Sequence, residues 1–317
     1  MNVVTMGETM VLLSAESTGF MRYADRFTAK VAGAESNVAI GLARLGHRTG
    51  WISKLGNDEF GKKILTFIRG EGVDVSEVTF DPDAATGLYF KEQISEEEMR
   101  VQYYRAGSAA SRLTPDDVNE SYVAQADFLH LSGITPALSA SCYETMLHAI
   151  RAAKQHGVKV VFDPNLRRKL WSEEEARNAL LDLSGRADIV LPGLDEGDFL
   201  FGSREPETLA RRFHELGAAT VVVKLGEQGA YYSADQESGT VDAFKVPRVV
   251  DPVGAGDGFA AGLLSGLLDQ LPLAKAVRRG AAVGAIVTMV HGDVEGLPDK
   301  ERLVSFMSSE NGEDVKR

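Results

Sequence analysis

Val158-Lys159-Val160-Val161-Phe162-Asp163-Pro164-Asn165-Leu166-Arg167 opens on a mostly apolar run without in–out alternation and closes on polar residues. A strand of that kind is buried on both faces, as in a parallel sheet covered by helices above and below. Residues 189–191 and 220–224 repeat the pattern. Helix-period stretches lie between and before them, near 139–156, 173–183 and 207–216. Toward the N-terminus, 3–6, 51–55 and 128–131 are strand-like, while 34–45 and 60–69 are helical. Val38, Leu42 and Leu45 share a face of the first of these helices, and Gly46 follows as a stop signal. Repeated β–α units predict an α/β fold with a doubly wound, mainly parallel sheet. Ligands on such sheets lie at the carboxyl ends of the strands, so the residues just after each strand are the candidates for chemistry.

Two stretches break the rhythm. Residues 11–31 and 86–105 have strand character without helical partners, and Glu96–Glu98 reads as a solvated hairpin tip. The two segments are expected to pair into a small β-sheet lid, with 1–10, 32–85 and 106–317 forming the α/β core. A lid over the carboxyl edge would expel water from a site. Its open edges invite pairing with a second subunit, so a homodimer or higher homo-oligomer through the lid is expected. The polar tail, 308–317, is expected to be frayed.

The chain has 317 residues, enough for one large α/β domain or two units. Hydrophobic residues make up 44% and charged residues 25%, which fits a globular protein with a sizeable core. Thirty-four basic against 46 acidic residues give a formal charge of −12. That balance argues against nucleic acid or an anionic membrane as partner, since both need a basic footprint. Cys142 is the only cysteine, which excludes an intrachain disulfide and a cysteine-based zinc cluster. The first residues lack the basic start and apolar core of a signal peptide, and no run is long enough to span a bilayer; the expected location is the cytoplasm. The six histidines show no metal-ligand spacing and read as structural.

The strongest chemical signal is Asp251-Pro252-Val253-Gly254-Ala255-Gly256-Asp257-Gly258-Phe259, leading into a helix over 260–268. Glycines at a helix start leave the backbone open to a ligand, and the free N–H groups and dipole of the helix make an anion site. A carboxylate in that first turn repels a bound phosphate, yet it suits a base that takes a proton from a hydroxyl attacking one. The same string also reads as a plain helix start with a capping aspartate, which leaves the density of glycine unexplained. No Gly-Lys-Ser/Thr follows, and no first βαβ unit carries a dinucleotide fingerprint. A second helix start, Gly33-Ala34-Glu35-Ser36-Asn37, places an amide side chain one turn in, where it could donate to and accept from a sugar hydroxyl.

Gly33…Asn37-Val38-Ala39 together with Asp251…Gly254-Ala255-Gly256-Asp257 resembles the paired signatures of the PfkB (ribokinase-like) carbohydrate kinases, over essentially the whole chain. The resemblance implies a ribokinase-like fold and ATP- and magnesium-dependent phosphorylation of a sugar hydroxyl. It makes Asp257 the base and Gly254, Ala255 and Gly256 the anion hole. Asp163-Pro164-Asn165-Leu166-Arg167 with Tyr103-Tyr104-Arg105 resembles the subgroup acting on the 6-hydroxyl of 2-keto-3-deoxygluconate. It implies substrate contacts from Gly33, Ala34, Asn37, Tyr89, Tyr103, Tyr104, Arg105, Arg167 and Asp293, with the arginines near the carboxylate. Arg167 beside Asn165 could instead hold ATP phosphates. Lys224-Leu225-Gly226…Gly229 resembles the nucleotide loop of the family, although an ordinary glycine turn reads equally well from the residues.

One departure concerns metal. The family often shows Asn-x-x-Glu after a middle strand, tied to magnesium through water. Here the stretch is Gly193-Leu194-Asp195-Glu196, so Glu196 is in place without the asparagine, and Asp195 offers a substitute. Magnesium is expected to arrive with ATP, and the family adds a monovalent cation near the Asp251 loop. Rival expectations are a fructokinase or ribokinase acting on a neutral sugar, and a non-catalytic sensor of a sugar acid or nucleotide.

Overall fold

The computed structural model describes residues 1–95, 98–235 and 237–310. Its strands are β1 (Val3–Met6), β2 (Met10–Ala15), β3 (Phe27–Ala32), β4 (Thr49–Gly56), β5 (Val78–Asp81), β6 (Leu88–Gln93), β7 (Met99–Tyr104), β8 (Phe128–Ser132), β9 (Lys159–Asp163), β10 (Ile189–Val190), β11 (Thr220–Lys224), β12 (Ala230–Ala234) and β13 (Glu237–Val241). The helices are α1 (Ala34–Arg44), α2 (Glu59–Gly70), α3 (Glu120–Val123), α4 (Ala140–Gln155), α5 (Glu173–Arg186), α6 (Leu194–Phe201), α7 (Pro206–Leu216), α8 (Ala255–Leu268), α9 (Leu273–Val287) and α10 (Lys300–Glu310).

Among the described residues, nine strands form one sheet in the order β13-β12-β11-β10-β9-β8-β1-β4-β5. It is parallel from β5 to β11, and β12 and β13 close that edge antiparallel. Two apolar clusters lie on its two faces. One, with Trp51, Leu263 and Val283, packs under α1, α8 and α9; the other, with Leu129, Phe162 and Phe213, packs under α4, α5 and α7. Helix starts follow local chemistry: Asp58 accepts the N–H of Gly61 at α2, and Ser139 accepts that of Cys142 at α4. Helix α8 is apolar all round because α1 and α9 cover it.

The smaller sheet runs β3-β2-β6-β7. β2 and β6 pair in parallel, flanked by antiparallel partners. Alternation sends Met10, Leu12, Tyr89, Lys91, Val101 and Tyr103 to one face, while Phe27, Phe90 and Tyr104 belong to the other. Of the proposed tip, Glu96 and Glu97 lie outside the described residues; the Glu98 carbonyl accepts the N–H of Ile94 at 2.8 Å. The tail differs from expectation at its start, because 308–310 continue α10; 311–317 lie outside the described residues. Helix α6 and strands β5 and β13, unmarked by sequence periodicity, are short and complete the edges. No helix of the described residues is long and apolar enough to cross a membrane.

Candidate active site

A cavity of about 360 Å³ opens between the carboxyl ends of the core strands and the inner face of the small sheet. Gly33, Ala34, Asn37, Tyr89, Tyr103, Arg105, Asn165, Arg167, Glu196, Lys224, Gly254, Gly256, Asp257 and Asp293 all line it. Residues spread over 260 positions of sequence thus meet: most follow a strand or open a helix beside that edge, Tyr89 and Tyr103 come from the inner face of the small sheet, and Asp293 comes from the loop after α9.

The floor is the start of α8. Gly254 has φ +80°, and a β-carbon there would stand 2.9 Å from the Asp293 carbonyl oxygen, so only glycine makes the turn freely. Among the described residues no acceptor meets the N–H groups of Gly254, Gly256 and Asp257, whereas that of Ala255 donates to the Pro252 carbonyl at 3.3 Å. Of the expected anion hole, Gly254 and Gly256 line the cavity with open amides, whereas the Ala255 N–H is engaged and Ala255 does not line it; the Asp257 amide beside them is also open.

Asp257 sits in the first turn of α8, and Asn37 Nδ2 donates to its Oδ2 at 2.8 Å. The start of α1 that carries Asn37 is fixed locally, with Thr9 Oγ1 donating to Ser36 Oγ at 2.8 Å and Ser36 Oγ to the Gly33 carbonyl at 3.0 Å. Loss of water around the Asp257 carboxyl, reinforced by Asp163 and Asp293 and opposed by Asn37 and Arg167, pushes its pKa up to about 7. Asp293 is pushed up to about 6, again first by burial, with Lys91 opposing. A carboxyl group poised near neutrality is suited to accept a proton from an alcohol.

Around this floor stand cations of different standing. Arg105 leaves the lid at the end of β7 and is buried in an ion pair with Glu8, whose other oxygen accepts from Ser108 Oγ. Its charge is balanced inside the protein, so of the two arginines expected near the carboxylate Arg105 already has an ion-pair partner. The Arg167 guanidinium makes no hydrogen bond or ion pair among the described residues and faces the cavity open. Lys224 Nζ lies 2.5 Å from Asp163 Oδ2. Burial alone would depress its pKa, yet Asp163 and Glu196 hold it above the usual lysine value. Tyr89 and Tyr103 pack ring on ring, with centroids 5.4 Å apart, on the lid side of the cavity.

Several expected residues stay outside. Tyr104 is on the opposite face of the lid, packed edge-on against Phe90, because one residue along a strand reverses the side chain. Leu225, Gly226 and Gly229 form the turn between β11 and β12 and do not line the cavity. Asp195 points to the surface, paired with Arg204 at 2.7 Å, and is no substitute for the missing asparagine. Conversely, sequence reasoning passed over Glu8, Asp163 and Lys91. Glu8 and Asp163 close the carboxyl ends of β1 and β9, and Lys91 alternates with Tyr89, so the signals were strand position and pleat.

The donor set also bears on metals. Among the described residues no three His, Cys, Asp or Glu side chains converge as a metal cage. Carboxylates at the cavity fit a magnesium ion that keeps most of its shell from nucleotide phosphates and water. The Asp251 carboxylate is already engaged, with Oδ2 on the Lys91 ammonium at 2.8 Å and Oδ1 accepting the Val253 N–H at 3.1 Å, so a monovalent cation near this loop would need other oxygens.

The pattern of the pfkB family carbohydrate kinases matches residues 1–300. A 2-dehydro-3-deoxygluconokinase of Bacillus subtilis (strain 168) is 44% identical over 98% of this chain and 96% of its own length. One of Thermoproteus tenax is 40% identical over 94% and 91%. Among solved structures, an Escherichia coli protein provisionally assigned as ribokinase II, in complex with ATP and Mg2+, superposes with a TM-score of 0.89 at 27% identity, covering 97% of this chain and 99% of that one.

Proposed function

The chain belongs to the pfkB family of carbohydrate kinases, and on that premise we propose that it transfers the γ-phosphoryl group of ATP to the terminal (6-) hydroxyl of 2-keto-3-deoxygluconate, giving 2-keto-3-deoxy-6-phosphogluconate and ADP. The observation that carries the substrate class is Arg167: a guanidinium with no hydrogen-bond or ion-pair partner among the described residues, in the same cavity as Asp257 and close enough to act on its charge. A planar fork of that kind pairs a carboxylate, and a neutral sugar gives it nothing to neutralise. The stacked Tyr89 and Tyr103 offer an apolar wall to the deoxy carbon and hydroxyls to its neighbours. Arg105, already balanced by Glu8, donates to a keto or hydroxyl oxygen.

In this reading Asp257 takes the proton of the attacking hydroxyl as its oxygen bonds to the γ-phosphorus. The bond from that phosphorus to the bridging oxygen breaks, and ADP leaves with the electron pair. The open amides of Gly254, Gly256 and Asp257 hold the charge on the migrating group, and Lys224 meets the phosphates from the side. Bound with ATP beside the cavity carboxylates Asp163 and Glu196, magnesium would supply neutralisation of the phosphate charge. Asn165 borders the phosphates, and the adenosine runs outward along the turn holding Leu225, Gly226 and Gly229. The exposed aromatic face of the lid, with Phe27 and Tyr104, seats a second copy of the chain.

The test is coupled ADP release over a panel of keto acids, fructose and ribose, for wild type and Arg167→Ala. The keto-deoxy acid is expected to be preferred, with Arg167→Ala lowering its kcat/KM on the order of a hundred-fold and sparing turnover of neutral sugars. Preference for fructose or ribose would overturn the substrate, and no ADP release with any sugar would favour a sensor.

A further inference from the structure

Arg105 is the first residue beyond β7, so the pairing of that strand with β6 ends at Tyr104 and leaves the arginine side chain without a pleat to aim it. A long cationic side chain in such a place samples many rotamers, and a ligand that uses it must first order it. Here it is already ordered. The guanidinium is buried, with Nη2 paired to Glu8 Oε2 and Cζ 5.7 Å from the centre of the Tyr103 ring. Its Nε is buried and has no hydrogen-bond partner among the described residues. A buried donor of that kind calls for an oxygen from outside the protein, and Arg105 lines the cavity that holds Asp257.

Glu8 is itself held by the core. The carbonyl of Gly7 before it accepts Ser53 Oγ at 2.8 Å, and Thr9 Oγ1 after it donates to Ser36 Oγ at 2.8 Å. Its side chain is fully enclosed, and Oε1 accepts from Ser108 Oγ in the turn that leads out of the lid. That turn is closed by the Ser108 N–H, which donates to the Arg105 carbonyl at 3.1 Å. The other joint of the lid passes as close: a β-carbon on Gly87, just before β6, would stand 2.7 Å from Glu8 Oε1. Glu35, a second buried carboxyl within reach of the Arg105 charge, is engaged by the hydroxyls of Ser132 and Thr135 at 2.7 and 2.9 Å. Glu8 is thus the carboxylate that meets the arginine.

We propose that Glu8 is a positioning residue for Arg105. It reaches from the end of a core strand into the joint of the lid and fixes the guanidinium, so that the remaining N–H groups meet a substrate oxygen without first being ordered. Glu8 acts through the arginine and does not bond the substrate. The inference rests on the sugar-acid reading above and adds to it the device that aims one of the recognising groups.

The test is calorimetric binding of 2-keto-3-deoxygluconate to the full chain without nucleotide, well below the melting temperature of each variant. Glu8→Gln keeps the length of the side chain and an oxygen for Ser108 but removes the charge that holds the guanidinium. It is expected to weaken binding on the order of ten-fold and to raise KM by a similar factor, with kcat within about two-fold of wild type. In an Arg105→Ala background the same change should add almost nothing, because the group it positions is gone. Ser108→Ala leaves the ion pair in place but frees Oε1; it is expected to weaken binding about three-fold and carries the test if Glu8→Gln fails to fold. A full additive loss beside Arg105→Ala would show that Glu8 bonds the substrate directly and would overturn the proposal. So would wild-type affinity in a folded Glu8→Gln, or in Ser108→Ala where it stands in, with only a lowered Tm, the mark of a purely structural pair. If ADP release selects another sugar, the substrate reading fails and the same variants are compared on that sugar, so the two failures are distinguishable.

Discussion

Asp257 owes its basicity first to removal from water and only then to its neighbours. With a folded pKa of about 7 against 3.8 unfolded, the native state binds more protons between those values. Unfolding free energy therefore falls as pH rises from about 4 to 7, and above 7 the buried charge is a standing cost. Asp257→Asn removes that cost along with the base. It is expected to lower kcat by about 10²–10⁴-fold and to abolish the limb of the pH–rate profile near 7. It should also raise Tm at pH 8 by roughly 2 °C or more, a gain that vanishes near pH 4. Calorimetry at both pH values beside a pH–rate profile checks this, and retained turnover would remove Asp257 from the mechanism. The residue was legible in sequence because a carboxylate among glycines at a helix start is an unusual combination. The partner of Arg105, by contrast, was not: Glu8 is ninety-seven positions away, and only folding brings the two charges together.

Elements divide by how much of their role their own residues dictate. The core strands announced themselves through apolar runs, and α8 through glycines followed by an apolar stretch. The lid was legible as two strand-like segments, but its parallel β2–β6 pairing was not, since register depends on which faces find cover. That pairing decides which tyrosines reach the cavity. Tyr103 faces it, whereas Tyr104, 55% exposed, joins Phe90 and Phe27 on the outer face. In the pairing of two copies proposed above, this aromatic face would lose its water-exposed surface. If two copies pair through this face as proposed, Tyr104→Glu is expected to shift sedimentation toward the monomer while leaving binding of the acid substrate intact; an unchanged sedimentation coefficient would overturn pairing through the lid.

At the scale of the whole molecule, lid and core are held by charges that neither segment explains alone. Lys91 of β6 bonds Asp251 at 2.8 Å, and Lys30 of β3 bonds Glu295 at 3.0 Å. Burial would raise the Asp251 pKa, but the Lys91 ammonium and the Val253 N–H outweigh it and hold it below the usual range. Lys91→Met leaves a buried carboxylate half-satisfied and is expected to cost about 1–3 kcal/mol in denaturant unfolding. Adding Asp251→Asn should recover much of that loss. Simple additivity of the two changes would show that the pair contributes nothing to closing the lid on the anion loop.

The amino-acid sequence alone determined the layered α/β architecture, the strand ends that border the cavity and the helix start where a carboxylate meets open amides. Each of these depends on local patterning: apolar periodicity, glycine and the residue after a strand. Tertiary structure alone decided which cation is free, which tyrosine faces the cavity, which amides stay open and which carboxylate meets Arg105. Those outcomes depend on distances between groups far apart along the chain. A charge is available to a ligand only when no neighbour in space has already compensated it.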